Sequence, residues 1–197
     1  MKSHFFAYIA RMRYITRWAL MRNTFSENIQ EHSHMVAVLA HALAVLRNRV
    51  YGGDVDAGQV ALVALYHDAS EIITGDMPTP IKYYAPEIRD AYKKVEAVAC
   101  DKLLTMLPDE LKMDYREVLA CTDPEILTLV KAADKLSAYI KCVEELKAGN
   151  AEFRRAAEQT RAALDAMALP ELDYFMEHCM ESFSMTLDEL EEKEDKP

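Results

Sequence analysis

Residues 60–71 read VALVALYHDASE, in which seven apolar residues run directly into a histidine and an aspartate. The apolar run covers every face of a helix, and this predicts a helix in the middle of a helical bundle. His67 and Asp68 at the end of such a helix need compensating partners, because isolating a carboxylate from water is costly. Glu71 lies four residues after His67 and adds a second carboxylate on the same side of the helix. Two acids and one imidazole together indicate a bound cation.

Two further segments offer partners for this cluster. His32 falls on the apolar face of the helix predicted over residues 29–51 and therefore points inward. The other two histidines of that segment lie at different angles and are interpreted as packing residues. Asp134 sits among small residues near a buried stripe, although pairing with a neighbouring lysine is an equally good interpretation of this residue alone. The predicted metal ligands are His32, His67, Asp68 and Asp134.

This ligand set favours one divalent metal ion. Two imidazoles and two carboxylates suit manganese, cobalt, iron, nickel or zinc better than calcium or a thiolate-seeking ion. Four protein ligands leave open positions in an octahedral shell. A water molecule and a phosphate oxygen would meet in those positions, so the pattern indicates metal-assisted phosphate chemistry.

The composition predicts an all-α protein. The 197 residues include only 5 Gly and 7 Pro, while residues that favour helices are abundant. A chain of this length suits one domain, which we expect over residues 1–185, followed by an acidic, frayed tail over residues 186–197. Apolar spacing predicts helices over residues 3–20, 29–51, 57–74, 86–107, 109–120, 152–167 and 170–183, and one between Asp123 and Gly149.

Charge and hydropathy exclude several partners. The net charge of -10 argues against a nucleic-acid polymer, which needs a basic face on the protein. No apolar stretch approaches the ~20 residues of a membrane helix, and the basic N-terminal segment is a weak candidate for a membrane anchor. The four cysteines form no C-x-x-C pair, which is typical of reduced thiols in a cytoplasmic protein.

Three segments carry a family resemblance, namely ENIQEHS at 27–33, LYHDASEIITGDMPTPIKYY at 65–84 and VKAADKLSAYIKCVEEL at 130–146. Together with SHFFAYIARMRYITRWALMRN at 3–23, they resemble the bacterial 5′-deoxynucleotidases of the HD-domain phosphohydrolase superfamily. The likeness covers nearly the whole chain and is looser after residue 151. It implies a single-domain HD-type helical bundle.

The resemblance also implies an activity and roles for individual residues. The family hydrolyses deoxyribonucleoside 5′-monophosphates as a homodimer with a divalent metal, for which cobalt or manganese is expected. The resemblance gives metal ligation to the four residues named above and catalytic roles to Glu71, which it places beside the attacking water, and to Arg17. The substrate-binding residues that it implies are Arg17, Trp18, His32, Asp76, Met77, Pro78 and Thr79.

The residues themselves support the substrate roles less strongly. Arg17 and Trp18 offer a guanidinium fork for phosphate and a flat face for a base or sugar. Simple packing of the first helix is the alternative for Trp18, the only tryptophan of the chain. The sequence TGDMPTP at 74–80 predicts a stiff loop next to the metal cluster, because it contains a glycine helix cap and two prolines.

Three alternative functions are considered. The same site in an HD-type hydrolase would act on a nucleoside triphosphate, a cyclic diester or an alarmone if more basic residues were available. A non-catalytic binding module with a structural metal is a second alternative, although a structural site needs no additional carboxylate such as Glu71. A di-iron carboxylate bundle is excluded, because that class needs two E-x-x-H motifs and only Glu31 and His34 supply one.

Overall fold

The computed structural model describes residues 2–82 and 84–191, apart from the side chain of Thr79. In this part of the chain, the only pairing of extended backbone is an isolated bridge between Thr16 and Asn28, so the all-α prediction is confirmed. The α-helices are α1 (Phe5–Ile9), α2 (Ile29–Tyr51), α3 (Ala57–Tyr66), α4 (Glu71–Thr74), α5 (Thr79–Lys82), α6 (Pro86–Thr105), α7 (Lys112–Leu119), α8 (Pro124–Lys147), α9 (Arg154–Asp165), α10 (Pro170–His178) and α11 (Leu187–Glu191). Short 3-10 helices cover Ala10–Tyr14, Asp109–Leu111, Ala151–Phe153 and Glu181–Ser184.

The two longest helices begin at clear capping residues. The Asn28 side chain accepts hydrogen bonds from two backbone amides in the first turn of α2. Asp123 does the same for α8, whose first residue is Pro124, as the sequence predicts. Gly149 follows the end of α8 with a φ of 85°, a left-handed conformation that closes helices. These signals place α2 and α8 reliably, and both carry predicted ligands.

The main core lies between α2, α3, α8 and α10. It consists of buried aliphatic residues such as Leu39, Val63, Leu136 and Leu172. A second cluster packs α1 against α6 and includes Ala69, the residue after the His67–Asp68 pair. The turn that follows α3 is therefore held between the two clusters, beside α2 and α8.

The predicted first helix over residues 3–20 is wrong after Tyr14. Ile15 is extended, with φ of -97° and ψ of 109°, and the chain then runs back toward α2. The backbone amide of Arg17 donates to the Glu27 carbonyl (2.9 Å), and the Ile29 amide donates to the Ile15 carbonyl (3.0 Å). These pairings with a distant segment replace local helical bonds, so tertiary contacts override helix propensity here.

The predicted helix over residues 57–74 is interrupted. Residues 67–70 form a turn between α3 and α4, so the histidine and the aspartate do not belong to a continuous helix. Burial of α3 on every face is also wrong, because Leu62 and Leu65 are 39% and 40% exposed. The opposite face, with Val60 and Val63, enters the core, while the outer face has no covering element among the described residues.

The C-terminal region begins as a short helix, α11, within the segment predicted as a tail. Residues 192–197 lie outside the described residues. The domain and tail boundaries therefore stay predictions. Among the described helices, none combines the length and the apolar character that a bilayer crossing requires.

Candidate metal centre

His32 lies in the first turn of α2 and is fully buried. Its Nε2 atom lies 3.0 Å from Oδ1 of Asp134 on α8 and 3.6 Å from Oδ2 of Asp68. Its Nδ1 atom lies 3.2 Å from the hydroxyl oxygen of Ser137, one turn further along α8. The imidazole is thus oriented by Ser137 on one side and presents its other nitrogen to two carboxylates.

His67 is the residue directly after α3. Its Nδ1 atom donates to the carbonyl oxygen of Ala64 at 2.7 Å, because a carbonyl can only accept. The Nε2 atom is buried and has no hydrogen-bond partner, although Asp68 Oδ1 lies 3.2 Å away and Asp134 Oδ1 lies 4.0 Å away. In the neutral form that a metal ion requires, His67 would direct the lone pair of Nε2 toward the two carboxylates, which is how metal-binding histidines are arranged.

The predicted ligands converge. His32, His67 and Asp68 each offer a ligand atom within 4.8 Å of the others. Asp134 falls outside that group but approaches both histidines through Oδ1 at the distances given above. The unpaired His67 nitrogen and the mixture of imidazoles and carboxylates fit a divalent metal ion held by these residues.

The charges of the cluster are strongly coupled. Burial alone would lower the pKa of His67, but Asp68 and Asp134 outweigh it and raise this pKa to about 9. Burial would raise the pKa of Asp68, but His67, His32 and Arg17 hold it well below its usual range. Hydrogen bonding to His32 likewise lowers the pKa of Asp134 against the effect of burial. Both aspartates are therefore ionised and ready to bind a cation.

Glu71 opens α4 and is 5% exposed. Its Oε2 atom is buried without a hydrogen-bond partner. Burial, followed by the negative charges of Asp68 and Asp76, raises the pKa of Glu71 to about 9. The carboxyl group is therefore close to the cluster, is not used by the fold and holds a proton easily.

Arg17 and Trp18 lie in the irregular segment between the 3-10 helix Ala10–Tyr14 and α2. The Arg17 guanidinium donates from Nη1 to Asp68 Oδ2 at 3.3 Å, which brings it to the edge of the cluster. Trp18 has a left-handed backbone with φ of 58° and packs its indole ring on Phe153 at 5.3 Å between ring centroids. Trp18 thus packs on the bundle, as in the alternative interpretation that gives it only a packing role. It does so from a loop and not from a helix.

The predicted loop starts at Gly75, which caps α4 with a φ of 73°. Tyr92 of α6 supports this cap, because its hydroxyl group donates to the Gly75 carbonyl at 3.2 Å. Asp76 follows in a half-buried position, where burial raises the pKa of its carboxyl group against the opposing charge of Arg17, with a smaller contribution from Asp68. Met77 and Pro78 are also half-buried, while the side chain of Thr79 lies outside the described residues.

Sequence reasoning missed two residues that organise the site. Ser137 contacts His32, and its position three residues after Asp134 on the same helix face is a signal for this role. Glu27 accepts hydrogen bonds from the side chains of both Arg17 and Trp18. Nothing in the local pattern of ENIQEHS indicates those contacts, because they depend on the reversal of the chain after Tyr14.

Comparison with known sequences gives a consistent result. The family model described as 5′-deoxynucleotidase YfbR-like matches residues 4–183. A 5′-deoxynucleotidase of Pectobacterium atrosepticum is 52% identical over 191 residues, which cover 96% of each chain. The family match spans α1 to α10 and includes every segment that contributes to the cluster.

Solved structures share the fold. An HD-domain phosphohydrolase from Listeria innocua superposes with a TM-score of 0.78 at 21% identity and covers 91% of this chain and 88% of its own. The cyanophage S-2L HD phosphohydrolase DatZ, bound to dA and one catalytic Zn2+ ion, superposes with a TM-score of 0.60 at 24% identity, over 89% of this chain and 96% of its own. These structures show the fold, and the family model together with the high identity to the bacterial relative shows that the chain belongs to the YfbR-like 5′-deoxynucleotidase family.

Proposed function

We propose that the protein is a metal-dependent phosphomonoesterase that hydrolyses deoxyribonucleoside 5′-monophosphates to deoxyribonucleoside and phosphate. Relatives with 50% to 52% sequence identity to this chain carry the name 5′-deoxynucleotidase. The observation that carries the proposal is the position of Arg17, whose guanidinium touches Asp68 at the edge of the buried His–Asp cluster. A phosphate bound by Arg17 would lie next to the metal.

The metal would be held by His32, His67, Asp68 and Asp134, with cobalt or manganese as the proposed ion. When bound, such an ion lowers the pKa of a coordinated water and polarises a phosphoryl oxygen. Arg17 would bind the phosphate through the N–H groups that Asp68 and Glu27 do not occupy, since a guanidinium carries five of them. The phosphate would thereby be oriented toward the cluster.

Glu71 is the proposed proton-transfer group. Its buried, unpaired carboxyl oxygen leaves it free to contact a reacting molecule, and its surroundings favour the protonated form. Protonated, the carboxyl group can donate to the departing 5′-oxygen of the sugar, and in its ionised form it can accept the proton of the attacking water. The proposed contacts of the deoxyribose are Asp76, Met77, Pro78 and Thr79. The proposed contacts of the rest of the nucleotide, beside the metal, are Trp18 and His32.

A monophosphate fits the available positive charge better than a triphosphate. The sequence offers three cations near the motifs. Arg17 lies at the cluster, Lys82 binds Glu96 at 2.9 Å, and Lys131 is exposed. Only one guanidinium is thus placed for phosphate among these three, and longer phosphate chains need more.

A phosphate-release screen tests this function. The purified protein is incubated with deoxynucleoside and ribonucleoside 5′-monophosphates, 3′-monophosphates and triphosphates, each with cobalt, manganese, zinc or magnesium. The fastest release is expected from deoxynucleoside 5′-monophosphates with cobalt or manganese. The His67→Ala variant, purified identically, controls for contaminating phosphatases. Faster release from a triphosphate would favour the alternative HD-type hydrolase.

The proposed setting is a cytoplasmic homodimer. Val38 of α2 and Leu62 and Leu65 of α3 are exposed on two helices that pack against each other, which offers apolar surface to a second copy. The four cysteines are unpaired, as expected in a reducing compartment. Light scattering over a dilution series tests the dimer, and cell fractionation tests the compartment. A monomer at every concentration would contradict the dimer.

A further inference from the structure

Glu27 connects the two residues proposed to hold the substrate. Its Oε2 atom accepts from Nε of Arg17 at 3.2 Å and from the indole nitrogen of Trp18 at 3.0 Å. Its side chain is only 14% exposed, and Oε1 lies 4.0 Å from Nδ1 of the buried His32. One carboxylate therefore touches both neighbouring side chains and faces the metal cluster.

The position of Glu27 is itself fixed by the backbone. Its carbonyl oxygen accepts from the Arg17 amide at 2.9 Å, and the next residue, Asn28, caps α2. The backbone of Glu27 is thus fixed by the start of α2 and by the bond to the segment that carries Arg17, and its side chain has a defined starting position. Arg17 and Trp18, in contrast, belong to an irregular segment with few regular backbone bonds.

The orientation of the Arg17 guanidinium depends on Glu27. Two of its donors are used, Nε toward Glu27 and Nη1 toward Asp68, so the plane of the guanidinium is defined by two carboxylates. Without Glu27, only the contact to Asp68 is left of these two, and Asp68 is a proposed metal ligand. The guanidinium would then be free to rotate about the contact or to compete with the metal for Asp68.

The orientation of the Trp18 indole ring depends on Glu27 as well. Its left-handed backbone is unfavourable for a residue with a bulky side chain, and its carbonyl oxygen accepts from the Met21 amide at 2.9 Å. Packing on Phe153 restrains one face of the indole ring, and the bond to Glu27 fixes its edge. The two contacts together set the orientation of the ring.

We propose that Glu27 is a positioning residue, which holds Arg17 and Trp18 in fixed relation to each other and to the metal cluster. The phosphate and the nucleoside part of a deoxynucleotide would then meet preformed contacts. The inference rests on the proposed function, because it assumes that these two side chains bind the substrate. It assigns no substrate contact and no metal contact to Glu27 itself.

Kinetics of Glu27→Ala and Glu27→Gln test the proposal. For a deoxynucleoside 5′-monophosphate, Glu27→Ala is expected to raise KM by about tenfold or more, with a smaller fall in kcat and an unchanged metal content. Glu27→Gln keeps an oxygen that accepts from both donors but loses the charge, so it should recover part of the lost affinity. Fluorescence of Trp18, the only tryptophan, should shift in Glu27→Ala and return toward the wild-type spectrum in Glu27→Gln.

Glu31→Gln is the matched control. Glu31 lies in the same segment, is exposed, and bonds to the Asn28 amide at 3.2 Å, a role that glutamine can also fill. This variant should keep the wild-type KM. If the wild type is active and both Glu27 variants also keep the wild-type KM, Glu27 has no positioning role. A Glu27 variant that loses metal in step with activity would also overturn the proposal. A wild type without activity on deoxynucleotides would instead overturn the proposed function. If Glu27→Ala does not fold, Glu27→Gln against Glu31→Gln decides the matter.

Discussion

His67 shows how one side chain links metal binding to pH. Its Nδ1 atom is committed to the Ala64 carbonyl, so a second proton must reside on Nε2, the nitrogen that faces the cluster. The nearby aspartates raise the pKa of this group to about 9 in the metal-free protein. A metal ion that binds Nε2 must therefore displace a proton at neutral pH.

Metal affinity is accordingly expected to rise with pH. Below pH 9, each unit of increase should tighten the apparent dissociation constant by about tenfold for the one competing proton. The stability of the metal-free fold changes with pH in the opposite direction. Protonated His67 stabilises this fold below pH 6.5, and the stabilisation is lost as pH rises toward 9. Calorimetric titration with manganese from pH 6 to 9, in two buffers of different ionisation enthalpy, measures the released proton. An affinity independent of pH would contradict the assignment of His67 as a ligand.

Glu71→Ala is expected to lower kcat by about 10² to 10⁴, roughly 3 to 5 kcal/mol, with metal and nucleotide still bound. The reason is that Glu71 is buried, has an unpaired carboxyl oxygen and lies beside the four proposed ligands without being one of them. Steady-state kinetics and metal dissociation are measured on the same variant. Asp68→Ala is the control that should lose both metal and activity. If excess metal restores kcat in Glu71→Ala, the residue supports a ligand and is not a proton donor or acceptor.

At the level of single residues, the sequence predicts which side chains cluster better than it predicts the residues that orient them. His32, His67 and Asp68 follow from buried helical faces and from the cost of isolated charges, and they do converge. Glu27 and Ser137 act on residues that are distant in sequence, so only the packing of the segments shows their roles. The pattern thus identifies groups that need compensation but does not say how they are oriented.

At the scale of elements, the segment between Tyr14 and α2 depends on α8 for its position. Glu145 of α8 is fully buried and accepts from the Thr24 amide at 2.9 Å and from Asn150 at 2.8 Å. Its ion-pair partner, Lys141, donates to the Phe25 carbonyl at 2.7 Å. Burial alone would raise the pKa of Glu145, but hydrogen bonds from Lys141, Thr24 and Asn150 lower this pKa to about 2. This pair anchors the segment that carries Arg17 and Trp18.

Removal of one partner of this pair should be costly. Glu145→Ala is expected to destabilise the fold by about 3 to 5 kcal/mol, because it leaves the Lys141 ammonium buried without its counter-ion. The double variant Lys141→Met, Glu145→Leu should recover much of that loss, since it removes both charges and keeps the volume. Urea unfolding gives the free energies. Arg161→Ala, which breaks an exposed pair with Asp165, is the control and should cost about 1 kcal/mol or less. A Glu145→Ala value as small as the control would show that the pair is not important for stability.

The sequence predicts elements best where the chain marks their ends. The caps Asp123 and Gly149 bound α8 as predicted, and Asn28 begins α2. Where no such residues exist, helical spacing continues across real breaks, as at residues 67–70. Helix propensity is local, and the turn there is held by tertiary packing around Ala69. These breaks also bring His67 and Asp68 out of a regular helix and turn both toward the cluster.

At the scale of the whole molecule, the proposed metal site joins three parts of one core. His32 comes from α2, His67 and Asp68 from the turn after α3, and Asp134 from α8, and the main core packs these same helices together. Composition predicts the helical class, but it does not predict which helix faces meet. The wrong expectation of complete burial for α3 illustrates this, because apolar residues on an outer face look the same in sequence as those in the core.

Metal binding should therefore stabilise the entire fold. An ion that binds only the folded chain, at a free concentration of 100 times Kd, adds roughly 2.7 kcal/mol, and in a domain of this size each kcal/mol raises Tm by about 2 to 4 °C. Manganese or cobalt should thus raise Tm by roughly 5 to 10 °C, and a chelator should reverse the change. Asp134→Ala should lose this increment because α8 then has no ligand, whereas Asp109→Ala, which removes an aspartate that is 92% exposed, should keep it. Thermal unfolding followed by circular dichroism measures all three proteins. An equal rise in Asp134→Ala would mean that the ion binds without α8, and the proposed set of ligands would have to be abandoned.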